Sequence, residues 1–134
     1  MNVVLDTNVF ISGIFWEGNS CSLIINAWRD KKFNLVCSLS MIEELILTLK
    51  DFKIKMPEDM IQDWRDLIIQ DSSIVDPEVK LNVSVDKDDN KFIEAAIVGN
   101  AEYIISQDKH LTEINEYKGI KIIKPEDFLK ILDK

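Results

Sequence analysis

Short apolar runs alternate with amphipathic helical stretches along the chain, and this alternation constrains the fold more than any other feature. Five apolar runs predict strands, the third of them the weakest: Val3–Leu5, Asn34–Cys37, Ser73–Val75, Tyr103–Ser106 and Lys121–Ile123. Five amphipathic stretches predict helices: Ser20–Asp30, Ser40–Lys50, Asp59–Ile69, Asn90–Gly99 and Pro125–Leu132. Strands that alternate with helices form mostly parallel sheets with both faces covered. The pattern therefore predicts an α/β fold, a three-layer α/β/α sandwich with a central, mostly parallel sheet.

The composition predicts one globular domain over residues 1–134. The chain is 46% hydrophobic and 30% charged, which is typical of a folded soluble protein. No apolar run approaches the roughly 18 residues of a membrane span. Asp6 interrupts the first apolar run, so we also expect no secretory signal. Cys21 and Cys37 are spaced neither as a metal-ligand pair nor as a redox pair, which favours a reduced, cytoplasmic setting.

The net charge limits the ways in which this chain can bind nucleic acid. The formal charge is −8 and the isoelectric point is near 4.6, which argues against a generally basic surface that grips phosphates. His110 is the only histidine, so a site built on several imidazoles is excluded. A nucleic-acid substrate remains compatible with the charge, because metal ions held by clustered carboxylates reverse the local sign of the field.

Aspartates follow two of the predicted strands. The stretch "VVLDTNVF" by itself predicts a strand ending in a polar turn at Asp6, Thr7 and Asn8. Asp108 lies just beyond the strand in "YIISQD". Because ligands of open α/β sheets bind beyond the carboxyl ends of the strands, near the point where strand order reverses, we expect Asp6 and Asp108 to project from the same edge.

Acids also occur in two of the predicted helical regions. Asp86, Asp88 and Asp89 in "VDKDDNKFIEAA" precede an apolar helical face, and three aspartates are more than a helix cap requires. In "CSLSMIEELILTL", helical periodicity points Glu43 to solvent and puts Glu44 at the flank of the apolar face. Periodicity therefore gives Glu44 a slight preference as the inward acid.

The four groups of acids together favour a metal site over separate caps and turns. For any single aspartate, a cap or a turn is the more common explanation. Several carboxylates brought together repel one another and raise each other's pKa values unless a cation compensates. Their oxygen ligands suit Mg²⁺ or Mn²⁺ better than zinc or copper. The reaction that best fits such a site is metal-assisted phosphodiester hydrolysis.

The same residues, in the same order, resemble the PIN domain, a family of small metal-dependent nucleases. "VVLDTNVFIS" is similar to the opening strand motif of that family, with Asp6 as its first acid. "SLSMIEEL" places the second acid at Glu44. "DKDDNKFIEAA" places the third at Asp89, with Asp86 as an accessory acid, and "AEYIISQDKHL" places the fourth at Asp108. The resemblance covers essentially the whole chain and is strongest to VapC-like toxins of toxin–antitoxin pairs.

The resemblance implies a metal-dependent endoribonuclease. RNA is the expected substrate, a cognate antitoxin is an expected partner, and the protein is expected to form a homodimer. It implies one or two Mg²⁺ or Mn²⁺ ions held by four catalytic acids: Asp6, Glu44, Asp89 and Asp108. Asn8 and Ser106 are expected to orient the ligands or the attacking water by hydrogen bonds. Ser106 and Gln107 stand where the family often has threonine and glycine. For Asn8, a role in a simple turn is an equal alternative, and for Ser106 the alternative is a residue that simply ends a strand.

Two rival functions of other classes remain open at this stage. A signalling receiver domain also binds Mg²⁺ at strand ends, but it needs paired acids after the first strand, where only Asp6 is found. A non-catalytic module with the same fold would use apolar residues such as Phe15, Trp16 and Trp64 for partners, although these residues are equally compatible with the core. We interpret His110 as a surface or helix-start residue rather than as a general base.

Overall fold

Six strands form a single sheet in the computed structural model, which describes residues 1–78, 80–84 and 86–133. The strands are β1 (Asn2–Leu5), β2 (Asn34–Ser38), β3 (Ser72–Val75), β4 (Tyr103–Ile105), β5 (Glu116–Tyr117) and β6 (Ile120–Ile123). Their order is β3-β2-β1-β4-β6-β5, and every neighbouring pair is parallel except β5 with β6. All five predicted strands are confirmed, with each end within one residue of its prediction. Only the two-residue strand β5 was not predicted.

The helices are α1 (Thr7–Phe15), α2 (Ser20–Arg29), α3 (Leu39–Asp51), α4 (Glu58–Gln70), α5 (Asn90–Val98), α6 (Lys109–Thr112) and α7 (Pro125–Leu132). A short 3₁₀ turn, Lys87–Asp89, leads into α5. The five predicted helices are confirmed, whereas α1 and α6 were not predicted. Where the sequence predicted only a polar turn, Asp6 caps α1 and the helix starts at the next residue. Within the described ranges, no helix has the length and apolar character needed to cross a membrane.

Both faces of the sheet are covered, which confirms the three-layer sandwich. Val3, Val4 and Leu5 follow one another along β1, and all three are buried. Consecutive strand residues point to opposite faces, so helices must pack on each side of this strand. Ile104 and Ile105 repeat the pattern on β4. The central strands are therefore fixed from both sides, and their carboxyl ends are held rigidly.

The strand order reverses between β1 and β4. From β1 the chain proceeds to β2 and β3 on one side, and then crosses to β4 on the other side of β1. The backbone N–H of Asp6 donates to the carbonyl of Ile105 at 3.0 Å, which extends the pairing of β1 with β4 past the strand ends. The backbone N–H of Ser106 similarly donates to Ile123 at 3.0 Å. The residues that follow β1 and β4 thus meet at the switch point of the sheet, where such folds bind ligands.

The three aromatic residues considered for a partner interface have different environments. Phe15 stacks on Phe52 with ring centroids 4.6 Å apart, and it packs against the core. Trp64 is also packed against the core, with the guanidinium of Arg29 5.9 Å from its ring centroid. Trp16 is exposed and meets Phe52 edge-on. Phe15 and Trp64 therefore contribute to packing, while Trp16 is available on the surface.

Gly13 allows α1 and α2 to approach closely. A Cβ at this position would lie 2.6 Å from Cγ1 of Ile25 and 2.8 Å from the backbone carbonyl oxygen of Cys21. Real Cβ atoms do not approach backbone so closely, and a carbonyl inside α2 cannot move without moving the helix. Because Asp6 caps α1, the position of α1 also determines where that carboxylate lies.

We expect Gly13→Ala to destabilise the protein by roughly 1–3 kcal/mol, the usual cost of overpacking. Alanine has the better helix propensity by about 1 kcal/mol, so helix propensity alone predicts the opposite sign. Urea unfolding followed by circular dichroism measures the difference. Asn26→Ala, at an exposed position of α2, is the control and should be close to neutral. A Gly13→Ala protein as stable as the parent would show that the two helices are not in tight contact.

Candidate metal centre

Asp6 is buried at the start of α1 and is held by hydrogen bonds on both carboxylate oxygens. Oδ2 accepts a hydrogen bond from the Ser106 hydroxyl at 2.6 Å, and Oδ1 accepts one from the backbone N–H of Asn8 at 3.4 Å. Burial raises the pKa of Asp6 above its ordinary value, the two hydrogen bonds oppose this increase, and the nearby Asp108 and Glu44 carboxylates add to it. The carboxylate is thus fixed in place although its burial and the neighbouring carboxylates disfavour its charged form.

Ser106 links the first acid to the last. Its side chain is fully buried, and its hydroxyl accepts a hydrogen bond from the backbone N–H of Asp108 at 2.9 Å while donating to Asp6. This geometry agrees with the predicted orienting role of Ser106. Asn8 differs, because its side chain is exposed and its backbone N–H makes the contact with Asp6.

Asp86 and Asp89 lie just before the start of α5. Asp86 caps the 3₁₀ turn by accepting a hydrogen bond from the backbone N–H of Asp88 at 3.0 Å. The side-chain oxygen of Asn90 accepts from the N–H groups of Val83 and Ser84, at 3.0 and 2.8 Å, and so holds the segment before the turn against the helix. Asp89 lies between these anchors.

Asp89 is the most perturbed of the four predicted acids. Its side chain is 6% exposed, and Oδ2 is buried without a hydrogen-bond partner among the described residues. Burial raises the pKa of Asp89 to about 7, with further contributions from Asp108, Asp86 and Asp6. A buried, unpartnered carboxylate oxygen is costly, and it faces other acids. This combination fits a cation ligand better than a structural cap.

Four side chains lie close enough together to hold one cation. Asp86, Asp89, Asp108 and His110 each offer a ligand atom, and these atoms all lie within 4.8 Å of one another. Asp108 caps the short helix α6 by accepting from the backbone N–H of His110 at 2.9 Å. Nδ1 of His110 is 3.8 Å from Oδ1 of Asp108. The three carboxylates suit a hard divalent ion such as Mg²⁺ or Mn²⁺, whereas an imidazole is a more usual ligand of zinc, copper, iron or nickel.

Glu44 lies beside this cluster rather than in it. Its Oε1 accepts a hydrogen bond from the ammonium of Lys91 at 2.6 Å, and its Oε2 accepts one from the hydroxyl of Thr7. Glu43 is exposed, as helical periodicity predicted. The structure therefore brings Asp89 and Asp108 together with Asp86 and His110. Asp6 and Glu44 lie outside that group: Ser106 connects Asp6 to Asp108, and the ammonium of Lys91 is paired with Glu44.

The sequence did not predict the contacts of Thr7 and Lys91 with Glu44, or the position of His110 beside the acids. Thr7 is buried in the first turn of α1, a helix that was not predicted. Lys91 lies in the first turn of α5, where the helix dipole disfavours a cation, and that mismatch could have indicated an acidic partner. His110 does start a helix, as predicted, but its ring also faces the acids.

The fold and the site together define an α/β protein with an acidic, metal-type centre at the switch point of its sheet. The sequence model of the PIN domain family matches residues 2–110. The chain therefore belongs to the PIN domain family, which confirms the resemblance. Proteins of this family are generally nucleases that use divalent metal ions.

A relative and a solved structure can each be aligned with nearly all of the chain. An uncharacterized protein of Methanocaldococcus jannaschii is 31% identical over 145 aligned positions, covering all of this chain and 93% of the relative. The crystal structure of VapBC2 from Rickettsia felis, bound to a DNA fragment from its promoter, contains a chain with the same fold. The TM-score is 0.62 at 17% identity, over 92% of this chain and 98% of that chain.

We expect Asp89→Asn to stabilise the metal-free protein in a pH-dependent way. Because the folded-state pKa of about 7 exceeds the usual value near 3.9, the folded protein binds the proton more tightly than the unfolded chain. The free energy of unfolding then falls as pH rises from about 4 to 7. Asparagine removes this loss, so the gain should be absent near pH 4 and on the order of a few kcal/mol at pH 8, because each unit of pKa difference corresponds to about 1.4 kcal/mol.

Thermal unfolding in EDTA between pH 4 and pH 8 measures this difference. Asp88→Asn, at the exposed neighbouring position, removes the same formal charge and should show no such pH-dependent gain. A pH-independent effect of Asp89→Asn would mean that the carboxylate is not held in an unfavourable environment.

Proposed function

We propose that this chain is a metal-dependent endoribonuclease that hydrolyses RNA phosphodiester bonds, and that it is the toxin of a toxin–antitoxin pair. Residues 1–134 would then form a single nuclease domain. The observation that carries the proposal is the buried carboxylate of Asp89, whose Oδ2 has no hydrogen-bond partner in the described part of the chain and which lies among other acids at the switch point. Membership of the PIN domain family supports the class of reaction.

We assign the catalytic site to the four acids that the sequence indicated, Asp6, Glu44, Asp89 and Asp108, with Asp86 in an accessory position. Asp89 and Asp108 converge with Asp86 on the candidate cation position, while Ser106 fixes the orientation of Asp6 relative to Asp108. Mg²⁺ or Mn²⁺ bound there would supply an activated water and charge stabilisation of the leaving oxygen. The protein's own contribution is to hold the carboxylates in place before substrate arrives.

A cleft lined by the residues on either side of Asp89 supports a phosphate-containing substrate despite the net charge of −8. The cleft has a volume of about 550 Å³, and its lining includes Lys80, Lys87 and Lys91 together with Asp88 and Glu94. Lys80 lies 3.9 Å from Glu94 and Lys91 is paired with Glu44, so the lysines offset the acids of the cleft, and a bound divalent ion would supply the further attraction for a phosphate. Phosphate contacts by lysine supply affinity without reading sequence.

The partner assignments rest on exposed apolar side chains. Leu39 and Leu47 are exposed on α3 and line a groove with Ile46 and Ile69. Exposed apolar patches of this kind mark sites of protein association. The likeness of the fold to a chain of VapBC2 supports an antitoxin as one partner, and we propose a homodimer as well. Cys21 and Cys37 are free and buried, which agrees with function in a reducing cytoplasm.

Purified protein should cleave RNA in the presence of Mg²⁺ or Mn²⁺ and should not do so in EDTA. Asp6→Asn should lower the rate by about 100-fold or more, since changes even to groups behind the ligands cost 10–100-fold. Glu43→Gln, at an exposed position next to a proposed catalytic acid, is the control and should retain full activity. The measurement is gel analysis of structured and single-stranded RNA substrates over time.

Metal-dependent cleavage that survives Asp6→Asn would show that the activity arises elsewhere. Absence of cleavage of any RNA by the parent protein would favour the second candidate, a non-catalytic interaction module with the PIN fold. The ion pair on Glu44 is the one observation that favours this candidate, because it shows one acid already neutralised without a metal.

A further inference from the structure

Both carboxylate oxygens of Glu44 have hydrogen-bond partners within the protein. Its two carboxylate oxygens contact different groups, the ammonium of Lys91 at 2.6 Å on Oε1 and the hydroxyl of Thr7 on Oε2. The side chains of Lys91 and Glu44 are 20% and 33% exposed. A partly buried ion pair with a second hydrogen bond is held more firmly than a surface pair, so Glu44 has a defined partner before any ligand binds.

The chain positions of the two partners connect this pair to the metal centre. Thr7 directly follows Asp6, and Lys91 lies in the first turn of α5, two residues beyond Asp89, which directly precedes that helix. The pair is therefore flanked by two of the acids proposed to hold the ion. The side chains that can surround one cation are Asp86, Asp89, Asp108 and His110, and both Asp6 and Glu44 are outside that group. Glu44 differs from Asp6 in having a cationic partner, so a second divalent ion held by Glu44 would have to compete with the ammonium of Lys91 for Oε1.

We propose that Lys91 is the resident cation for Glu44, and that the centre consequently takes a single divalent ion, on the side of Asp89 and Asp108. This inference rests on the nuclease function proposed above. Lys91 is a positioning residue in this arrangement, because it acts by holding Glu44 and by supplying a fixed positive charge. Lys91 also lines the cleft that contains Lys80 and Lys87.

The ion pair can be tested in the metal-free protein by a double-mutant cycle. In EDTA, Lys91→Met and Glu44→Gln should each lower Tm, and the double variant should lose clearly less than the sum, because breaking one partner leaves an uncompensated charge. The matched control is Lys50→Met with Glu58→Gln, an ion pair at 3.6 Å whose side chains are 45% and 75% exposed. The control cycle should be additive. Additivity at Lys91 and Glu44 would overturn the inference.

The number of ions is tested by Mn²⁺ titration, followed by calorimetry and by electron paramagnetic resonance. The parent protein should bind one Mn²⁺. Glu44→Gln should change the affinity by no more than about threefold, whereas Asp89→Asn should weaken it by at least about tenfold. Lys91→Met should tighten binding or add a second ion, because it releases Glu44 as a ligand, and Lys91→Arg should restore the single-ion behaviour of the parent.

Two results overturn the inference while leaving the nuclease proposal in place: two ions in the parent protein, or a loss of affinity in Glu44→Gln as large as that in Asp89→Asn. A different pair of results overturns the proposed function and the inferred number of ions together. In that case the protein cleaves no RNA, and Asp89→Asn leaves Mn²⁺ binding unchanged or the parent protein binds no Mn²⁺. The double-mutant cycle needs neither metal nor substrate, so the two failures are distinguishable.

Discussion

The parallel pairing of β1 with β4 is the interaction on which the candidate site depends. It brings together Asp6 and Ser106, which are 100 residues apart in sequence and hydrogen-bonded at 2.6 Å. The backbone bond from Asp6 to Ile105 continues this pairing past the strand ends. Because Ser106 is fully buried and uses its hydroxyl both as donor and as acceptor, a shift of register would leave buried polar groups unsatisfied. Such networks specify one arrangement, since a partly satisfied one is very costly.

The electrostatics of the centre oppose stability in the metal-free state. Asp89 has a raised pKa because it is buried near Asp108, Asp86 and Asp6, and the pKa of Asp6 is also raised. Each raised carboxyl pKa means that the charged form is disfavoured in the folded protein. The contacts from Lys91 and Thr7 offset this unfavourable electrostatic energy only at Glu44. The remaining strain is concentrated at Asp89, and destabilised functional sites of this kind are common where stability and activity compete.

Much of the fold was predictable from the sequence, because buried parallel strands and amphipathic helices have strong periodic patterns. The convergence of Asp6 with Asp108 was predictable from the rule for strand ends. Helix α1 was not predictable, because Val9, Ile11 and Gly13 have modest helix propensity. Its stability comes instead from packing against α2. Without α1, Thr7 had no predicted partner. The ion pair of Lys91 with Glu44 joins two helices that are distant in sequence, and local periodicity contains no information about such contacts.

A separation of charge would allow an acidic chain to bind the proposed polyanionic substrate. A net charge of −8 repels phosphates at long range, but screening restricts that repulsion to about 10 Å at moderate ionic strength. Within that distance, the lysines of the cleft and a bound divalent ion determine the local field. Three lysines line the cleft, but Lys80 and Lys91 are paired with Glu94 and Glu44, so few counterions would be released when the proposed substrate binds, and the salt dependence of affinity would be shallow. Binding energy for a substrate would then come mainly from the ion and from contacts inside the cleft, which favours short segments of single strand over long duplexes.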